Sequence, residues 1–176
     1  MRRFARRSIG AWLLVPALGM ASVSSGKTRG VPAGDALPCP LDAPYDGGNV
    51  FARIVRGELP ASIVAQDARV MAIIPLEWER PGHTLVIPKR PVRNLYDLRD
   101  RDLVAVMAMV RRVATAQRRA LGNSGFSLQQ NNASSQHVCH LHVHVIPDTP
   151  RVPRVRASRA EMEAMAQRLR AALPAR

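Results

Sequence analysis

The chain has 176 residues, 47% of them hydrophobic, which suits one globular domain with a real core and excludes a multidomain assembly. Its formal net charge of +13 attracts phosphates, nucleic acid or anionic lipid without choosing among them. The arginines are scattered rather than interleaved with aromatics, which argues against a nucleic-acid surface.

The first 21 residues read as a targeting segment. Arg2, Arg3, Arg6 and Arg7 precede an apolar run from Ile9 to Ala21, and Gly19-Met20-Ala21 offers small residues at the −3 and −1 positions of a cleavage site. The run is too short for a membrane span, which needs about 20 apolar residues. The expectation is a periplasmic or secreted mature protein with no stable membrane span after signal removal. The paired arginines also permit the twin-arginine route. Residues 22–46, with Ser, Gly and Pro throughout, read as a flexible linker or arm, 47–150 as the catalytic domain, and 151–176 as a connector and C-terminal helix.

Regular structure begins at Asn49. Val50, Phe51, Ile54 and Val55 have helical spacing, and Gly57 with Pro60 stops that short helix. Strand signals follow at Ile63-Val64, Val70–Ile74 and His83–Ile87, the last closed by Pro88, with Pro75–Gly82 as a loop. A long helix is predicted from about Asp100 to Gly122, with Leu103, Val106, Met107, Val110, Val113 and Ala114 on its buried stripe. Phe126–Gln130 reads as a strand. After the Thr149–Ala157 connector, Ser158 and Glu161 have capping-box spacing, and Met162, Met165, Ala166 and Leu169 give the last helix an apolar face. Adjacent strands with few helices make the fold class α+β.

The most informative segment is His140-Leu-His142-Val-His144-Val-Ile. Histidines at i, i+2 and i+4 share one face of a strand, roughly 6–7 Å apart, while Val138, Leu141, Val143 and Val145 turn toward the core. A neutral imidazole is a nucleophile near pH 7 without an activating base, because its unperturbed pKa lies near 6.5. Attack on phosphorus forms an N–P bond that water later breaks, and phosphoryl chemistry asks the protein mainly for alignment and hydrogen-bond donors. The row also suits zinc or copper, although no Asp, Glu or Cys accompanies it on its own face. Cys139 falls on the aliphatic side, where a buried, inert thiol is the expected state rather than a nucleophile. Outside the cytoplasm Cys39 and Cys139 are also able to join as one bridge.

Pro81-Gly82-His83-Thr-Leu-Val-Ile-Pro88-Lys89, followed by Gln136-His-Val-Cys-His140-Leu-His142-Val-His144-Val-Ile-Pro, resembles the histidine triad family of nucleotide hydrolases and transferases. The resemblance extends from about Asn49 to Pro147 and includes Phe51–Pro60, the long helix, and the Gly125–Asn132 strand and loop. It implies a HIT-like fold, with an antiparallel sheet of about five strands, one long helix, a short N-terminal helix and a C-terminal helix. It implies hydrolysis or nucleotidyl transfer on a nucleotide substrate, by a dimer of identical chains and without a cofactor. Of the matched positions, His142 takes the place of the nucleophile. His144 corresponds to the ring that hydrogen-bonds the phosphate or bridging oxygen, and His140 and His83 to the supporting relay. Gln136, with the backbone around His137 and Val138, matches the phosphate loop; Asn131 or Asn132 matches a substrate-contacting asparagine; Val50, Phe51, Ile54, Ile73 and Leu85 match the slot for the base.

Three departures from the family pattern stand out. Pro75 occupies the place of an acidic residue that grips the ribose in many members, with Glu77 as a substitute from the same loop. The loop from Asn132 to Gln136 is about two residues short and lacks glycine. Bacterial relatives often hold a structural zinc through Cys-x-x-Cys, a histidine and a triad histidine, and here the three non-triad positions read Asn49, Ala52 and Pro91, so no metal is expected.

Overall fold

The structure is a computed structural model that describes residues 39–78, 80–153 and 155–175. The expected signal segment, and the arm as far as residue 38, lie outside the described residues.

Helix α1 spans Val50–Val55 and is capped by Asn49, whose side chain accepts from the Ala52 N–H. Strands β1 (Ile63–Gln66), β2 (Val70–Ile73), β4 (Thr84–Pro88), β6 (Val143–Pro147) and β5 (Phe126–Gln130) form one antiparallel sheet in the order β1-β2-β4-β6-β5. Helix α2 (Asp100–Leu121) ends at Gly122 in the left-handed conformation. Helix α3 (Arg159–Ala171) starts with the full Ser158/Glu161 capping box.

Both long helices pack on one face of the sheet. There Val64, Val70, Ala72, Val86, Val143 and Val145 meet Val106, Met109, Val110 and Val113 of α2 and Ala166 and Leu169 of α3 in the main core. Alternation sends Met71, Ile73, Leu85 and Ile87 to the other face, where Phe51 of α1 packs on them. His142 and His144 share this second face, because their neighbours Val143 and Val145 point to the helices. The strand period thus separates the site from the main core.

Several expectations need correction. The Pro75–Gly82 loop contains a two-residue strand, β3 (Glu77–Trp78), paired with β7 (Val155–Arg156) inside the connector. A two-residue ladder whose partner is nearly eighty residues away leaves no periodic signal in sequence. On α2, Leu103 and Met107 are exposed, at 40% and 43%, while Met109, Ala116 and Gln117 are buried, so the inward stripe is rotated from the one predicted. The histidine strand begins only at Val143, with His140 and His142 in the irregular approach to it. Val138 packs with Phe51 on the histidine side instead of in the core beneath the helices. The Cys139 thiol is not free: it is bonded to Cys39 across 100 residues.

One buried polar side chain and one glycine hold the turn before His83. Gln117 donates to the carbonyls of Gly82 and Val145, tying α2 to the turn before β4 and to the middle of β6. Gly82 has φ +91, a conformation that favours glycine, and a Cβ there would press on Leu121 Cδ1, so glycine suits the turn directly before His83.

Candidate active site

Each histidine is oriented by a different partner. His140 Nε2 donates to the Pro88 carbonyl at 2.9 Å, because a carbonyl can only accept. Its Nδ1 therefore holds the lone pair and accepts from the Tyr45 hydroxyl at 2.6 Å. His142 Nδ1 donates to the His140 carbonyl at 2.7 Å, which leaves the His142 Nε2 lone pair uncommitted among the described residues. His83 Nε2 stands 2.9 Å from His144 Nδ1. His144 Nε2 is buried with no hydrogen-bond partner among the described residues.

The rings lie side by side. His142 and His144 have centroids 5.0 Å apart, and His83 and His144 5.1 Å. Phe51 meets His142 edge-on at 5.0 Å. Burial holds the three imidazoles neutral. It lowers His140 to about 4 and His144 to about 3, the latter also disfavoured by its neighbours His142 and His83, and it pushes His142 below the ordinary histidine value. A neutral His142 with Nδ1–H fixed carries a lone pair on Nε2 at neutral pH without deprotonation.

Val50, Phe51, Ile54, Ile73 and Leu85, the five residues matched to the base slot, line one cleft of about 680 Å3. Phe51 connects it to His142, and Leu85 is the cross-strand partner of His144. Pro75 and Glu77 line the same cleft. Arg156, Arg159 and Met162 complete it from beyond the resemblance, and no local pattern in the sequence connects these residues to the histidines.

The remaining predicted residues lie in the loop before β6. Gln136 is buried and spends its amide on the carbonyls of Arg93 and Val138, bracing the loop from inside. Asn132 accepts from the Leu95 N–H and exchanges hydrogen bonds with Gln130, and Asn131 accepts from Gln129. His137 is exposed, whereas Val138 is half-buried beside Phe51. Tyr45, which sequence reasoning placed in a loose arm, is the residue it missed in direct contact with the triad.

The residues at the zinc positions of some relatives do not fit a metal. Asn49 is occupied as the cap of α1, Ala52 and Pro91 have no side-chain donor, and Tyr45 takes His140 Nδ1. The nitrogens of the triad also point to separate partners rather than to a common centre.

The HIT domain matches residues 56–151. A 13.1 kDa HIT-like protein of Mesomycoplasma hyorhinis is 37% identical over 100 residues, spanning 56% of this chain and 90% of that one. The adenosine 5'-monophosphoramidase of Schizosaccharomyces pombe is 31% identical over 100 residues, covering 56% of this chain and 72% of its own. Among solved structures, a HIT-like protein from Bartonella henselae, described as involved in cell-cycle regulation, superposes with a TM-score of 0.71 at 37% identity over 74% of this chain and 100% of that one. Motif, sheet order and these similarities agree, and the chain belongs to the HIT domain family.

Proposed function

We propose that the protein is a nucleotide hydrolase or nucleotidyl transferase that works through a nucleotidyl-histidine intermediate on His142. The observation that carries this reading is the commitment of His142 Nδ1 to the His140 carbonyl, which leaves the lone pair on Nε2 of a ring that packs against Phe51 of the cleft. In the first step Nε2 attacks the α-phosphorus, an N–P bond forms, and the bond from phosphorus to the leaving amine or oxygen breaks. The leaving group departs with a proton taken from solvent. In the second step water attacks phosphorus, the N–P bond breaks, and neutral His142, a mononucleotide and a proton are released. The unpartnered His144 Nε2 supports a role as hydrogen-bond donor to the phosphate or bridging oxygen, with Nδ1 accepting from His83.

The monophosphoramidase activity named for the fission-yeast relative makes adenosine phosphoramidates the first substrates to test. Purified protein without added metal should release mononucleotide and carry a transient adduct on His142 detectable by mass spectrometry. His142→Ala should lose at least ~10³-fold. Equal turnover by that variant removes the proposal. Pro75 in the cleft favours one second reading, a nucleotide binder without catalysis, which predicts nucleotide-dependent stabilisation and no turnover.

Two further expectations belong to this reading. Leu103, Val104 and Met107 on α2 and Phe126 and Leu128 on the edge strand β5 are exposed, which supports a two-fold dimer that joins two sheets through this face. Sedimentation of the Leu128→Lys variant tests it, and an unchanged mass ends it. The apolar N-terminal run and the Cys39–Cys139 disulfide support export. N-terminal sequencing of the mature protein decides, and an intact Met1 on soluble cytosolic protein overturns export.

A further inference from the structure

The segment Cys39–Gly48 precedes α1 and is fastened at several points. The disulfide joins it to Cys139, the residue directly before His140. Arg93, itself buried, donates to the carbonyls of Leu41 and Ala43, and Arg56 Nη1 donates to Gly47 at 2.9 Å. Between these anchors Tyr45 reaches the triad, with its ring edge-on to His140 at a centroid distance of 5.7 Å and its hydroxyl on Nδ1.

His140 does not offer its own ring to substrate. Both ring nitrogens are engaged, one by Pro88 and one by Tyr45, and its backbone carbonyl holds the Nδ1–H of His142. The orientation of the nucleophile therefore depends on the His140 peptide, and that peptide is held by a ring gripped from two sides. Remove the phenol hydroxyl, and a buried nitrogen loses its donor.

We propose that Tyr45 is a positioning residue for the His142 nucleophile, and that the Cys39–Cys139 disulfide keeps it on His140. This inference rests on the nucleophile assignment given above. It adds a requirement outside the HIT domain match: the chain upstream of residue 56 completes the orientation of the site, and does so through a covalent link next to the triad. The phenol also remains protonated across the working range, since burial raises its pKa, so it stays a donor.

Tyr45→Phe in the full chain retains ring and disulfide and deletes only the hydroxyl. Its kcat on an adenosine phosphoramidate should fall roughly tenfold with KM little changed, as expected for the loss of an orienting hydrogen bond. Because the phenol donates to the neutral ring, its removal should raise the His140 pKa by about one pH unit, read from the imidazole 15N shifts, which require no turnover. The ionisable neighbours of that ring are Tyr45 and His142. Dithiothreitol, which is oxidised to its cyclic disulfide as Cys39 and Cys139 become thiols, should slow the wild type by a similar factor and add little to Tyr45→Phe, with circular dichroism confirming a folded protein.

An unchanged kcat together with an unchanged His140 titration in Tyr45→Phe overturns the inference. So does a reductant effect of full size in that variant. The two readings fail separately: no adduct on wild-type His142 with a shifted His140 titration defeats the nucleophile assignment alone, while a normal adduct in an unperturbed Tyr45→Phe defeats the role of Tyr45 alone.

Discussion

On the helix-covered side of the sheet, Val70, Ala72, Val86 and Val145 are fully sealed by α2 and α3. On the opposite side, the same strands present Met71, Ile73, Leu85 and Ile87 and then His144, with α1 covering only part of them. The first face gains stability from apolar area. The second gives up part of that gain to bury imidazoles whose nitrogens must each find a partner. Changes beneath the helices should therefore alter stability with little effect on chemistry, whereas changes among the imidazoles on the other face should reach the chemistry as well.

The largest effect is expected at Leu169, fully buried between α3 and the sheet. Leu169→Ala should cost about 2–5 kcal/mol in unfolding free energy. The kcat of the folded fraction should stay within roughly twofold. A kcat loss that exceeds the loss of folded protein would show that the faces are not independent.

Acid should act on the other face. The folded pKa of His140, about 4, lies below the unfolded value near 6.5, so the stability from its neutral ring is complete above pH 6.5 and is lost as pH falls toward 4. The slope for this single group is ~1.4 kcal/mol per pH unit, or about 3 kcal/mol over the window. Chemical denaturation at pH 7 and pH 5, on wild type and His140→Phe, isolates it, because the variant lacks the proton uptake. Parallel losses in both proteins would assign the acid sensitivity elsewhere.

Gly82 sits at the junction of the faces, with its carbonyl bonded to Gln117 on the helix side and His83 following it on the site side. Gly82→Ala must place a methyl group against Leu121 at a positive φ, at a cost of about 1–3 kcal/mol. Because His83 moves with it, the melting temperature and kcat should fall together. A fall in stability alone would show that His83 is held by His144 rather than by the turn.

The contrast between faces also explains what could be read in advance. Strand alternation and the long helical period follow from burial, so β2, β4, β5, α1, α2 and α3 were visible, as were Val143 and Val145 as core residues. The exposed Leu103 and Met107 escaped because hydrophobic side chains on a helix do not reveal which flank a neighbouring element will cover. The cleft residues Val50, Phe51, Ile54, Ile73 and Leu85 came from the family resemblance and prove to share one wall. Tyr45, Arg156 and Arg159 had no such signal, since their proximity to the site is created by a disulfide and by a return of the chain after β6. Long-range closure is written in no local pattern.

The smallest predicted effect tests the border between binding and chemistry. Phe51 is 8% exposed, packs on Ile73 and Leu85, lines the cleft, and sets its ring 5.0 Å from His142. Phe51→Leu keeps most of the apolar volume and deletes the aromatic face. Aromatic contacts contribute about 0.5–1.5 kcal/mol beyond area, so KM for an adenosine phosphoramidate should rise by up to roughly tenfold. The value of kcat should stay within about threefold, because His142 keeps its bond to the His140 carbonyl. If kcat falls while KM holds, Phe51 orients His142 instead of the substrate, and the proposed division between an apolar binding wall and a hydrogen-bonded catalytic row has to be redrawn through this residue.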